Sequence, residues 1–159
     1  MKASTRFVGF SVSVLVSLTV QAFELPPPGL ISPVTSACIQ AAAQRYRVEP
    51  VLILAILSTE GGRPGLARLN RNGSYDLGPM QVNTLWVSRA GLNAQQLRDH
   101  GCYNVFVGTA ILANELVRSA GDMGAGIGNY HSRTPKHHER YRRQVRQQLR
   151  RLLLMASSP

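Results

Sequence analysis

Acidic side chains are scarce in this sequence. Asp and Glu together number eight against 18 Lys and Arg, and the formal charge is +10. The eight are Glu24, Glu49, Glu60, Asp76, Asp99, Glu115, Asp122 and Glu139. Chemistry divided between two carboxylates therefore has few candidates here. Cysteine is limited to Cys38 and Cys102, and histidine to His100, His131, His137 and His138. Neither spacing makes a metal-ligand set, so no metal and no cofactor is expected. No repeats occur. Strand-like alternation is nearly absent, with a short hairpin around residues 72–76 the one candidate, which points away from a mainly β fold.

Long apolar runs are also few. Phe7 to Val20 is one, but it is shorter than the ~20 residues a spanning helix needs. It follows Lys2 and Arg6 and ends in Val20-Gln21-Ala22, a small-x-small site. The pattern predicts a secretory signal peptide over 1–22, cleaved after Ala22, with an uncleaved anchor as the alternative. Either way the remainder is exported, and the expected location is the periplasm. In that oxidising compartment Cys38 and Cys102 are expected to pair, the alternative being two buried thiols. The loop they close would contribute on the order of 4 kcal/mol.

What is present begins with a proline-rich arm over 23–35, containing Pro26-Pro27-Pro28-Gly29 and Pro33. Thr35 or Ser36 caps a first helix to about Arg45, with Ala37, Cys38, Ala41, Ala42 and Tyr46 on its apolar side. Pro50 suits the first turn of a second helix to about Thr59. That helix, Val51-Leu52-Ile53-Leu54-Ala55-Ile56-Leu57, is apolar all round, which marks it as a buried central helix. Residues 62–72 read as a surface loop with Arg63, Arg68 and Arg71. Pro79 is expected to open a third helix through Val87, and Asn93 to cap a short turn through Leu97. A longer helix covers about Asn104 to Ser119, where Gly108 permits close helix approach. Glu115 lies on it without a clear facing. Gly121, Gly124, Gly126 and Gly128 make an isolated helix costly at ~1 kcal/mol each, so tight packing would have to support one. From His137 to Met155, Tyr141, Val145, Leu149 and Leu152 form an apolar stripe, and arginines cover much of the rest.

Glu60 is the ionisable group that ends the apolar second helix, before Gly61 and Gly62. A carboxyl there is partly desolvated and faces the negative end of the helix dipole. Both effects favour its protonated form. A carboxylic acid protonated near neutral pH can give its proton to a leaving group.

Glu60-Gly61-Gly62, then Gly78-Pro79-Met80-Gln81-Val82-Asn83, then Gly128-Asn129-Tyr130-His131-Ser132 resemble, in order, the motifs of lytic transglycosylases with a lysozyme-like fold. Tyr75-Asp76-Leu77-Gly78 is similar to the small members that accompany type IV secretion, conjugation and pilus systems. The resemblance covers roughly Ala37 to Val145. It implies a mainly α, lysozyme-like catalytic domain over 36–135, with a basic helix over 136–159 packed on it. It also implies cleavage of peptidoglycan between N-acetylmuramic acid and N-acetylglucosamine, with closure of a 1,6-anhydro ring. A single acid suffices for that reaction, because the nucleophile is the sugar's own hydroxyl. The role falls on Glu60.

By the same resemblance Ser74, Tyr75, Gly78, Met80, Gln81, Asn83, Tyr130 and His131 bind substrate, with the Tyr130 hydroxyl touching Glu60. Met80 has core filling as its plain alternative, Asn83 a surface role, and Tyr130 a place in the core. Pro79 and His131 depart from the motif, at positions that usually hold leucine or alanine and asparagine. Two other readings stay open: a lysozyme-type hydrolase using Asp76, and a non-catalytic wall-binding protein. Loss of Lys2 and Arg6 with the leader lowers +10 to +8, which implies an anionic partner such as wall peptide carboxylates or lipid. Nucleic acid is not expected, since the chain carries an export signal and no recognition element. The basic helix would be a solvated face or would dock a component of a secretion or pilus machine. Nothing suggests more than a monomer.

Overall fold

The structure, a computed structural model, describes residues 33–157. The expected leader and most of the proline-rich arm lie outside the described residues. Among those described, seven helices surround one small sheet: α1 (Ser36–Tyr46), α2 (Pro50–Glu60), β1 (Ala67–Leu69), β2 (Tyr75–Leu77), β3 (Val82–Asn83), α3 (Leu85–Ala90), α4 (Ala94–Asp99), α5 (Gly101–Arg118), α6 (Met123–His131) and α7 (Pro135–Ala156).

Local chemistry sets most helix ends. The Thr35 hydroxyl accepts from the Cys38 N–H and caps α1. Pro50 begins α2, and Gly61, at φ 58°, ends it in the left-handed conformation. Asn93 and Asp122 cap α4 and α6 through their side-chain oxygens.

The core lies where α1, α4 and α6 close around α5, with α2 packed on α1 and α7 and adding its buried residues to the same cluster. Every residue from Gly101 to Leu112 is buried, so α5 is the innermost helix. In α2, by contrast, Leu52, Ile53, Ala55 and Ile56 are buried while Leu54 is 38% exposed. The continuous apolar run of α2 thus overstates its burial. The inward face of α1 is Cys38, Ile39, Ala42 and Ala43, rotated from the face expected, with Ala37 and Ala41 outside. Cys38 and Cys102 are bonded, Cα atoms 5.8 Å apart, and tie α1 to α5. Tyr46 meets Phe106 edge-on at 6.1 Å across the same contact.

Pro79 does not open a helix. The sheet runs β1-β2-β3, all antiparallel, with Arg68 opposite Asp76 and Leu77 opposite Val82. Residues 78–81 form the turn between β2 and β3, and helix begins only at Leu85. The cause is local: Gly78 (φ 67°) and Gln81 (φ 48°) both have left-handed backbone, which a helix cannot contain. Part of the expected loop over 62–72 is strand β1. Gly108 meets the side chain of Met80 rather than a helix: a Cβ there would lie 2.6 Å from the Met80 Sδ. The glycines of α6 do serve close packing. A Cβ on Gly126 would stand 2.7 Å from the Leu116 Cδ2 of α5. Glu115 faces inward and accepts from Arg133 at 2.6 Å. The last helix, α7, packs along α2 and α6 through Tyr141 and Val145, both buried.

Candidate active site

The site forms where the C-terminal end of α2 meets the β2–β3 turn and α7. Glu60 is the last residue of α2. Its side chain is half-buried, with the carboxyl end turned away from water. Burial first, and the nearby charge of Asp76 after it, push its pKa up to about 7, against opposing contributions from the Tyr141 hydroxyl and from Arg68. At neutral pH both forms of this acid are therefore populated, the state a group needs in order to give and take a proton in one cycle.

The hydroxyl on Glu60 comes from Tyr141. It donates to the Glu60 Oε1 at 2.5 Å, across 81 residues of sequence. Burial, followed by the Glu60 charge, raises the Tyr141 pKa far above its ordinary value. The phenol keeps its proton and acts only as a donor. Tyr130, expected in this position, instead donates to the Met80 carbonyl at 2.8 Å. It lies beside the Tyr141 ring, centroids 6.3 Å apart. The physical reason is placement: α6 directs Tyr130 at the turn, while α7 lies along α2 and reaches its end. Tyr130 is close enough for the Glu60 charge to help burial raise its pKa. His131 stacks on Tyr141 at 4.6 Å with planes 3° apart. Burial, followed by the charge of Arg140, lowers the His131 pKa, so the ring is neutral near pH 7.

The β2–β3 turn is fixed from below and from the side. Asn104, on α5 and 0% exposed, accepts from the Met80 N–H at 2.7 Å and donates to the carbonyls of Leu77 (2.7 Å) and Leu97 (2.8 Å). Sequence reading passed over this residue, which sits in an apolar helix like any interior polar group. The Gly62 backbone presses against the turn so closely that a Cβ would be 2.6 Å from the Pro79 carbonyl oxygen. Only glycine fits two residues after Glu60.

The residues expected to bind substrate divide into two sets. Met80 is 0% exposed and packs against Gly108 and Thr109, so its side chain is core and reaches no open surface. Gln81 is also buried, donating from its Nε2 to the Gly78 carbonyl at 2.8 Å. Its Oε1 is buried without a hydrogen-bond partner among the described residues. Ser74, buried, donates to Asn72 at 2.8 Å and accepts from Asn83 at 2.9 Å. Asn83 also donates to the Asp76 Oδ1 at 2.7 Å. Tyr75 is 42% exposed. Glu60, Asp76, Asn83, Tyr130 and His131 are thus brought to one region, with Met80 and Gly78 as its support. Tyr141 was missed because it falls in an apolar stripe. The available signal was a phenol on that stripe whose hydroxyl, once buried, needs a partner. Among the described residues no three His, Cys, Asp or Glu side chains gather as a metal would require.

One carboxyl with a raised pKa thus stands at a helix end, faced by a polar turn and a tyrosine donor. The transglycosylase SLT domain family matches residues 37–153, and the chain belongs to that family. It is a lytic transglycosylase with a mainly helical, lysozyme-like domain. It is 31% identical to the "Invasion protein IagB" of Salmonella typhi over 128 residues, which is 76% of this chain and 79% of that protein. Over 101 residues it is 31% identical to "Protein IpgF" of Shigella flexneri, covering 61% and 66%. A "Peptidoglycan-binding-like protein" of Escherichia coli O157:H7 is 33% identical over 95 residues, covering 53% and 57%.

Proposed function

We propose that this protein cleaves the β-1,4 bond between N-acetylmuramic acid and N-acetylglucosamine, with Glu60 as both acid and base and no water consumed. The carrying observation is one carboxyl poised near pH 7 and held by Tyr141. Protonated Glu60 gives its proton to the glycosidic oxygen, and the bond from that oxygen to C1 of the muramic sugar breaks. The N-acetyl oxygen of the same sugar stabilises C1. The sugar's 6-hydroxyl then bonds to C1, and its proton returns to the Glu60 carboxylate. Tyr141 occupies Oε1, leaving Oε2 to carry the transferred proton. Ser74, Tyr75, Gly78, Gln81, Asn83, Tyr130 and His131 position the strand, directly or through the turn, and Met80 contributes by filling the core beneath it. Asp76 has one oxygen engaged by Asn83, which favours a positioning role for it over that of a base for water.

The setting is the periplasm, reached with a leader over 1–22 that is removed. The use is local opening of the wall for a secretion, conjugation or pilus machine, a reading that rests on the likeness of Tyr75-Asp76-Leu77-Gly78 to the small members that accompany such systems. The domain acts as a monomer, with 36–135 as its catalytic part and 136–159 as the basic helix.

Mass spectrometry of muropeptides released from purified peptidoglycan tests this. Products ending in a 1,6-anhydro sugar are expected from the exported protein and none from Glu60→Gln. Reducing ends in their place would identify a hydrolase and turn attention to Asp76. No products at all, with wall binding retained, would leave a non-catalytic binder.

A further inference from the structure

The amphipathic character of α7 changes along its length. One side faces inward: Tyr141 and Val145 enter the core in its first half, and Leu149 and Leu152, further on, pack against it partly buried. Lys136, Arg140, Arg143, Gln147, Arg150 and Leu154 follow one another at steps of three or four, so they share the opposite, outward side. That stripe is cationic until it ends in an apolar tip. Leu153, Leu154 and Met155 are 56%, 68% and 66% exposed, in the turn directly after Arg150 and Arg151. The only acid on α7 is Glu139, which Arg142 pairs at 2.9 Å. No catalytic contact uses this end of the helix.

We propose that the end of α7 docks the protein on an anionic phospholipid surface, arginines on the lipid phosphates and the Leu153–Met155 tip in the headgroup–acyl boundary. Charge complementarity names the occupant. A run of cations ending in exposed leucines and methionine fits a surface that offers negative charge and apolar depth together. An acidic protein face would have to supply an apolar groove beside its charge, and is left to the test as the competing occupant. A second copy of this basic chain would set like charges together. Leu154 lies thirteen positions beyond Tyr141, a rise of about 20 Å along the helix. Docking at the tip would thus hold Glu60, which Tyr141 touches, roughly that far from the anchoring residues.

The test uses the exported chain recovered from the periplasm, with its mass measured to record whether the leader is gone. Its sedimentation is followed with vesicles of phosphatidylcholine alone and of phosphatidylcholine mixed with phosphatidylglycerol. Binding is expected only to the mixed vesicles and is expected to weaken steeply with salt. Arg143→Glu with Arg150→Glu should lower it by about tenfold or more. Leu153→Ser with Leu154→Ser and Met155→Ser should lower it while leaving the salt dependence in place. Muropeptide release from isolated wall should be unchanged in all variants, which also reports that they fold. The proposal is overturned by equal binding to neutral vesicles, by no binding to either kind, or by serine variants that bind as the parent does. Loss of co-purification with an acidic protein, with vesicle binding untouched, would likewise overturn it.

Discussion

A carboxyl at the end of an apolar helix is a liability for the fold and an asset for proton transfer. Glu60 has a folded pKa of about 7 against an ordinary value of 4.5. Below pH 4.5 folded and unfolded chains both hold the proton, and there is no penalty. Between 4.5 and 7 the unfolded chain releases it first, so stability falls as pH rises. Above 7 the whole cost stands, about 3 kcal/mol. Glu60→Gln should therefore be more stable than the parent by about that amount at pH 8, with the gap closing toward pH 4. Urea denaturation at several pH values measures it, and a gap independent of pH would contradict the assignment. Glu60 was legible in the sequence because the apolar run before it and the glycines after it define its surroundings. Tyr141 was not, since a tyrosine at helical spacing among Val145, Leu149 and Leu152 looks like any other core residue until its hydroxyl is placed.

Among the elements, the long helices were readable and the sheet was not. Helices α1, α2, α5 and α7 carry caps, prolines or sustained periodicity. Strands of two or three residues are too short to show alternation, and Pro79 imitated a helix start. What defines the turn between β2 and β3 is tertiary: Asn104 beneath it, Gly62 beside it, Tyr130 over it. Asn104→Leu should uncouple the turn, leaving the Met80 N–H and the carbonyls of Leu77 and Leu97 without their partner. The expected loss is about 3 kcal/mol. Activity should fall more than folded fraction explains, since the turn frames Glu60. Denaturation and muropeptide release, measured on the same preparation, separate the two effects. Unchanged stability would mean that water replaces the amide.

For the molecule as a whole, mainly helical character and family were accessible from three short motifs in order. The placement of the innermost helix was not, because apolar composition alone could not rank α5 above α2. The Cys38–Cys102 bond joins α1 to α5 across 64 positions of sequence. Replacing both cysteines by serine should lower stability by roughly 4 kcal/mol, read as a shifted denaturation midpoint. Reduction of the parent should reproduce that shift and leave the serine variant unaffected. No shift in either would place the constraint elsewhere.

The bond from Tyr141 to Glu60 also orders events in time. The two partners stand 81 positions apart, and α7 follows every other described helix in the chain. While the chain is being made or threaded outward, α2 can exist without the phenol that completes its end. The Tyr141–Glu60 bond forms only after α7 has emerged and folded back. A proteolytic nick between α6 and α7, followed by departure of the final segment, would undo it. Under the proposed role of Glu60, competence thus comes late in the protein's production, and one cleavage in a short connector would suffice to end it.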